Sequence, residues 1–145
     1  MAKRVIVDEN VEKFLQSVAE NPGEVERCGL LVGRAGKDVE VVEAHEVENV
    51  KASAVEFELN PVEVLRVFER AEQSGLDVVG VWHTHPVGYA KPSGKDAMGA
   101  SVFPGVWVII ARGEVRWYLA GEKGFEEAEV EVRSPRSAPS SSPSS

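Results

Sequence analysis

Apolar residues recur along this chain with two periods, and the switches between them mark out strands and helices. Val5-Ile6-Val7 reads as a short first strand. Val11, Phe14, Leu15 and Val18 then follow the i, i+3, i+4, i+7 spacing of an amphipathic helix, with Asp8 or Glu9 near its start and Asn21-Pro22-Gly23 ending it. Leu30-Leu31-Val32 reads as a buried strand, Ala35-Gly36-Lys37 as a turn, and 38–47 as the second strand of that hairpin. Asn60-Pro61-Val62-Glu63 combines an Asn cap, Pro at the first helical position and Glu at the third. Val64, Leu65, Phe68 and Ala71 supply the apolar face of that helix, and Ser74-Gly75 stops it. A buried strand over 78–81 runs into His83 and His85, and a short helix begins near Ser93. Strands are predicted over 106–111, 115–119 and 125–132.

Residues 134–145 are almost entirely Ser, Pro, Ala and Arg, too polar to offset their chain entropy, and are expected to be disordered. The preceding 133 residues read as one α/β domain, a size that buries a single core without disulfides. The net charge of −8 argues against a nucleic-acid partner, which calls for a basic stripe. Cys28 is the only cysteine, which excludes an intrachain disulfide and a Cys-rich metal site. No apolar run approaches the roughly 18 residues of a membrane span, and no signal-peptide core precedes Asp8. A cytoplasmic protein without a membrane partner is the expectation.

The chemistry gathers in His83-Thr84-His85-Pro86 and Pro92-Ser93-Gly94-Lys95-Asp96. Two imidazoles two residues apart project from one face of a strand. A carboxylate from the next helix would complete three ligands and leave an open position, the hallmark of catalytic zinc. Each piece also has a plain structural explanation. The histidines could be ordinary core or surface residues, and Ser93-Gly94-Lys95-Asp96 matches a helix-capping pattern.

Together these segments resemble the signature of the JAMM (MPN+) metalloproteases: an upstream Glu, then His-x-His-Pro, then Pro-Ser-x-x-Asp. Glu26-Arg27-Cys28-Gly29-Leu30-Leu31-Val32-Gly33 resembles the segment that carries the family's Glu. The likeness runs from about Val5 to Val132. It implies a single MPN domain, cytidine-deaminase-like, with a mixed central sheet flanked by helices. It further implies one Zn2+ held by His83, His85 and Asp96, with Glu26 as general base and Ser93 helping to stabilise the oxyanion. Thr84 departs from the commoner Ser and is expected to leave the metal undisturbed. Cys28 is read as a buried small residue rather than a nucleophile, and His45, Trp82 and Trp107 as structural.

Members with this ligand set remove ubiquitin or ubiquitin-like proteins from lysine, among them the proteasome-lid deubiquitinase, and this chain looks like the compact prokaryotic type. The implied activity is an isopeptidase cutting after a C-terminal Gly-Gly, with ubiquitin-like conjugates as partners and the proteasome or related machinery as a further one. The alternatives are C-terminal processing of a sulfur-carrier precursor and a non-catalytic scaffold. Ser53, Ala54, Val55, Glu56 and Phe57 are the candidate strand for binding an extended modifier tail by strand addition, and Tyr89 a candidate for lining the cleft.

Overall fold

A computed structural model of the chain describes residues 4–121 and 124–134. The tail expected to be disordered falls, from residue 135 on, outside the described residues. The first strand, β1 (Arg4–Asp8), leads into α1 (Glu9–Glu20), whose buried stripe is Val11, Leu15, Val18 and Ala19. The hairpin β2 (Cys28–Arg34) and β3 (Val39–Val47) follows, then α2 (Pro61–Gln73) and β4 (Asp77–Thr84). The remaining elements are α3 (Gly94–Val102), β5 (Gly105–Ala111), β6 (Glu114–Gly121), β7 (Gly124–Glu127) and β8 (Glu129–Arg133).

The strand expected over 125–132 is two strands. β7 pairs antiparallel with β6, whereas β8 pairs parallel with β1, and these are opposite ends of the strand order β7-β6-β5-β4-β2-β3-β1-β8. Only Ala128 separates them, its N–H donating to the Trp117 carbonyl (3.0 Å). A sheet whose two ends join through one residue must curl on itself. Apolar alternation alone does not reveal such a change of partner.

The curled mixed sheet has a core on each face. Along β5, Val106, Val108 and Ile110 point to the side covered by α1, while Trp107, Ile109 and Ala111 point to the side covered by α2. Asn60 caps α2 as expected, its side chain accepting from the Val62 and Glu63 amides. One expectation for this helix fails. Its buried residues are Val67 and Ala71, with Val64 half-buried, while Leu65 and Phe68 lie on the exposed side. Glu63 does not close a capping box; its carboxylate accepts from the Glu48 amide (2.8 Å), tying the helix to the loop after β3. Gly29 is needed for close approach, because a Cβ there would collide with the His45 carbonyl and the Trp82 indole. No helix among the described residues is long and apolar enough to cross a membrane.

Candidate metal centre and its groove

β4 alternates Val81 and His83 onto the face covered by α2. Pro86 biases His85 toward extended backbone, and the His85 amide continues the ladder by donating to Ile110 (2.8 Å). Both rings therefore leave the end of β4 on one side. Asp96 comes from the first turn of α3, where the expected capping box forms: Ser93 N–H donates to Asp96 Oδ2 (2.8 Å) and Asp96 N–H to Ser93 Oγ (3.2 Å). The cap and the candidate ligand are thus the same carboxylate.

His83 Nε2 lies 2.9 Å from Asp96 Oδ1 and 3.0 Å from His85 Nε2, and His85 Nε2 lies 3.2 Å from Asp96 Oδ2. Lone-pair atoms crowded this closely repel unless a proton or a cation sits among them. Tetrahedral bonds of about 2.0–2.1 Å put ligand atoms about 3.3 Å apart, so the spacing suits a zinc-sized ion. Burial lowers the basicity of His83 more than Asp96 restores it, which keeps the ring neutral as a ligand requires. Burial works against ionisation of Asp96 too, but hydrogen bonds from His83 and His85 outweigh it and hold the carboxyl well below the usual range. His85 is also partly desolvated, and Asp96 with the Tyr89 carbonyl outweighs this to raise its pKa.

The rings are held differently. His83 is fully buried, stacked on Phe57 (4.6 Å, 27°) and edge-on to Trp107 (5.5 Å). Its Nδ1 has no hydrogen-bond partner among the described residues. His85 is oriented by a hydrogen bond, Nδ1 to the Tyr89 carbonyl (2.8 Å).

Glu26 is 5 % exposed, whereas Glu24 is exposed. Burial pushes its carboxyl up to about 7, His85 opposing and Asp96 adding to the shift, and that value suits proton transfer near neutrality. Its backbone is fixed from three directions. Glu26 N–H donates to the Ser53 carbonyl (2.7 Å), and Asn49 Nδ2 donates to the Glu26 carbonyl (3.0 Å). The next residue, Arg27, donates its amide to Thr84 Oγ1 (2.8 Å) and accepts from the Thr84 amide (2.8 Å). Thr84, the apparent departure in the signature, locks the Glu26 segment to the histidine strand through a hydroxyl that Ser also carries. Neither Thr84 nor Asn49 is a sequence-level candidate, because their work is local hydrogen bonding across long chain separations.

Glu26, Phe57, Ser93, Asp96, Phe103 and Trp107 line one groove of about 520 Å³. Among the proposed substrate-binding residues, Val55, Glu56 and Phe57 line it, and Ser53 reaches it through Glu26. Ser53 to Phe57 is not a strand. The segment enters through Ala52 at φ 47°, Ser53 Oγ accepts from the Val55 amide (3.1 Å), and Asn49 accepts from the Lys51 and Glu58 amides. Side chains thus take the backbone groups that a strand would pair. Ala54 is half-buried. Glu56 and Lys95 pair across the groove at 3.6 Å. Tyr89 does not line the groove; its ring lies over Arg112 and its carbonyl serves His85. Cys28 is buried, its thiol pushed up to about 12 by desolvation and neighbouring carboxylates, so it is no nucleophile. His45 pairs with Glu43 on the strand, and Trp82 and Trp107 are core residues.

A sequence profile of prokaryotic homologs of the JAB domain matches residues 10–120. The chain belongs to the JAB/MPN family. Within it, the chain is 38 % identical over 110 residues to a desampylase of Pyrococcus furiosus, covering 74 % of this chain and 76 % of that protein. A desampylase of Haloferax volcanii is 37 % identical over 112 residues, covering 77 % and 78 %. A solution structure of a Desulfitobacterium hafniense protein superposes with a TM-score of 0.78 at 25 % identity, covering 90 % of this chain and 94 % of that one. A Salinibacter ruber protein shares the fold at a TM-score of 0.61 and 24 % identity, covering 88 % and 90 %. The JAB/MPN chain is accordingly an enzyme, a hydrolase of the metalloprotease type, rather than a scaffold.

Proposed function

We propose that this protein is a zinc-dependent isopeptidase that releases a ubiquitin-like modifier from lysine after its C-terminal Gly-Gly. The observation that carries the reading is a buried His83–His85–Asp96 cluster beside Glu26 in one groove, in a chain whose relatives are desampylases. The name of those relatives denotes removal of a ubiquitin-like modifier.

His83, His85 and Asp96 would hold the zinc, which supplies Lewis-acid polarisation and a nucleophile at neutral pH. Glu26 takes a proton from the attacking water on its carboxylate and delivers it to the departing lysine amine. That second transfer matters because an amine leaves poorly unless protonated. Ser93 Oγ accepts from the Asp96 amide, which leaves its own O–H free to donate to the developing oxyanion. Val55, Glu56 and Phe57 form the groove wall for the modifier tail.

The test is cleavage of an archaeal ubiquitin-like protein joined through Gly-Gly to lysine, followed by intact mass, with zinc-loaded and chelated protein. The expected result is metal-dependent release of the intact modifier ending in Gly-Gly. Faster cutting of a C-terminally extended precursor than of the conjugate would replace the isopeptidase reading by precursor processing.

A further inference from the structure

Strands β5 and β6 are joined by the two-residue turn Arg112-Gly113, between the paired residues Ala111 and Glu114. Both turn residues have positive φ, 53° and 79°. That is the type I′ hairpin geometry, which favours Asn, Asp or Gly at the first position. An arginine there carries a left-handed backbone that residues with a Cβ adopt only against steric resistance. The turn alone gives no reason for it.

The Arg112 side chain supplies the reason. Its Nε–H donates to the Gly88 carbonyl (2.9 Å), and its guanidinium lies 4.3 Å from the centre of the Tyr89 ring. Gly88 has φ 106° with open space where a Cβ would stand, so glycine is needed there for its conformation, not for room. Two residues on, the Ala90 carbonyl accepts from the hydroxyl of Tyr118 (2.7 Å), a buried residue of β6. Between these two tethers, the Tyr89 carbonyl meets His85 Nδ1. A carbonyl can only accept, so Nδ1 carries a proton, and in the neutral ring that a metal would require the lone pair is at Nε2, facing His83 and Asp96.

We propose, resting on the metal-site reading above, that Arg112 is a positioning residue: with Tyr118 it clamps loop 87–90 so that the Tyr89 carbonyl fixes the ligating tautomer and direction of His85. His83 needs no such device, because its ring is fully buried, stacked on Phe57 and edge-on to Trp107. His85 stands just past the strand end, its amide still paired with Ile110, and the loop that follows is held to the β5–β6 hairpin by these tethers. Strain at Arg112 is thus the counterpart of order at the metal site.

The test compares Arg112→Asn and Arg112→Ala in the full chain. Both remove the clamp, but Asn suits the left-handed position and Ala does not, so their stabilities differ while their effect on His85 is shared. Zinc affinity is read by competition with a chromogenic chelator, the His85 Nδ1–H signal by NMR of the metal-free protein, and stability by thermal melting. Both variants are expected to bind zinc about tenfold more weakly, the lower end of what losing an outer partner of a ligand costs. Both should lose or shift the Nδ1–H signal, with Arg112→Asn melting higher than Arg112→Ala. Arg112→Lys, which keeps a cation over Tyr89, should recover part of the affinity. Affinity and signal unchanged in both variants, or an affinity loss that simply follows melting temperature, would overturn the clamp. A wild-type protein that binds no zinc would overturn the metal reading itself, and the NMR comparison would still decide the clamp.

Discussion

Burying the Glu26 carboxyl raises its pKa from an ordinary 4.5 to about 7, so the metal-free folded protein holds that proton more tightly than the unfolded chain does. The consequence for stability has a definite sign. Below pH 4.5 the group is protonated in both states and costs nothing. As pH rises from 4.5 through 7, the unfolded chain ionises it first and folding loses free energy. A rise from 4.5 to about 7 corresponds to about 3 kcal/mol at most, all of it lost by pH 8. Chelated Glu26→Gln lacks the ionisation and should unfold at higher urea than chelated wild type at pH 8, the gap closing toward pH 4.5. Parallel curves across that range would show that the Glu26 environment is not desolvating. The same burial that raises this pKa suits Glu26 to the proton transfer proposed for it, while Cys28, buried two residues on, is made inert.

At the scale of elements, Thr84 joins the two halves of the site. Its hydroxyl accepts the Arg27 amide and its own amide donates to the Arg27 carbonyl, so the Glu26 segment and β4 are bonded at the point where the chemistry lies. Thr84→Val leaves the Arg27 amide without its acceptor, at a cost of about 1–3 kcal/mol. It should lower turnover well below wild type while zinc content holds, and Thr84→Ser should behave as wild type; urea unfolding, zinc analysis and a conjugate-cleavage assay check this. A Val variant with full turnover would remove Thr84 from the positioning of Glu26. Most elements were readable from periodicity and capping residues: α1 from its stripe, α2 from Asn60-Pro61, α3 from Ser93 and Asp96. What could not be read depended on distant partners. Leu65 and Phe68 fit the helical stripe as well as Val67 does, and only the path of the sheet decides which side is covered. The break at Ala128 and the irregular 53–57 segment have the same origin, in a change of strand partner and in the Asn49 side chain.

At the scale of the whole molecule, the curled sheet places β2 beside β4, so Glu26 and the two histidines meet although more than fifty residues separate them. Asp96 needs only the short path from β4 into α3. The His83–His85–Asp96 cluster, a candidate metal site, was therefore legible as spaced motifs, because each motif sits at the end of a regular element. The shape of the groove around it was not, since loop 48–60 and loop 86–92 take their form from hydrogen bonds to the rest of the fold. The central claim is that a metal on His83, His85 and Asp96 and a proton carrier at Glu26 act as separate parts of one hydrolytic site. The most direct measurement is zinc content together with conjugate turnover on the same purified sample of Glu26→Gln. One zinc per chain is expected, with turnover reduced by at least about a hundredfold, the scale of general acid–base catalysis. Near-normal turnover with zinc bound would contradict it.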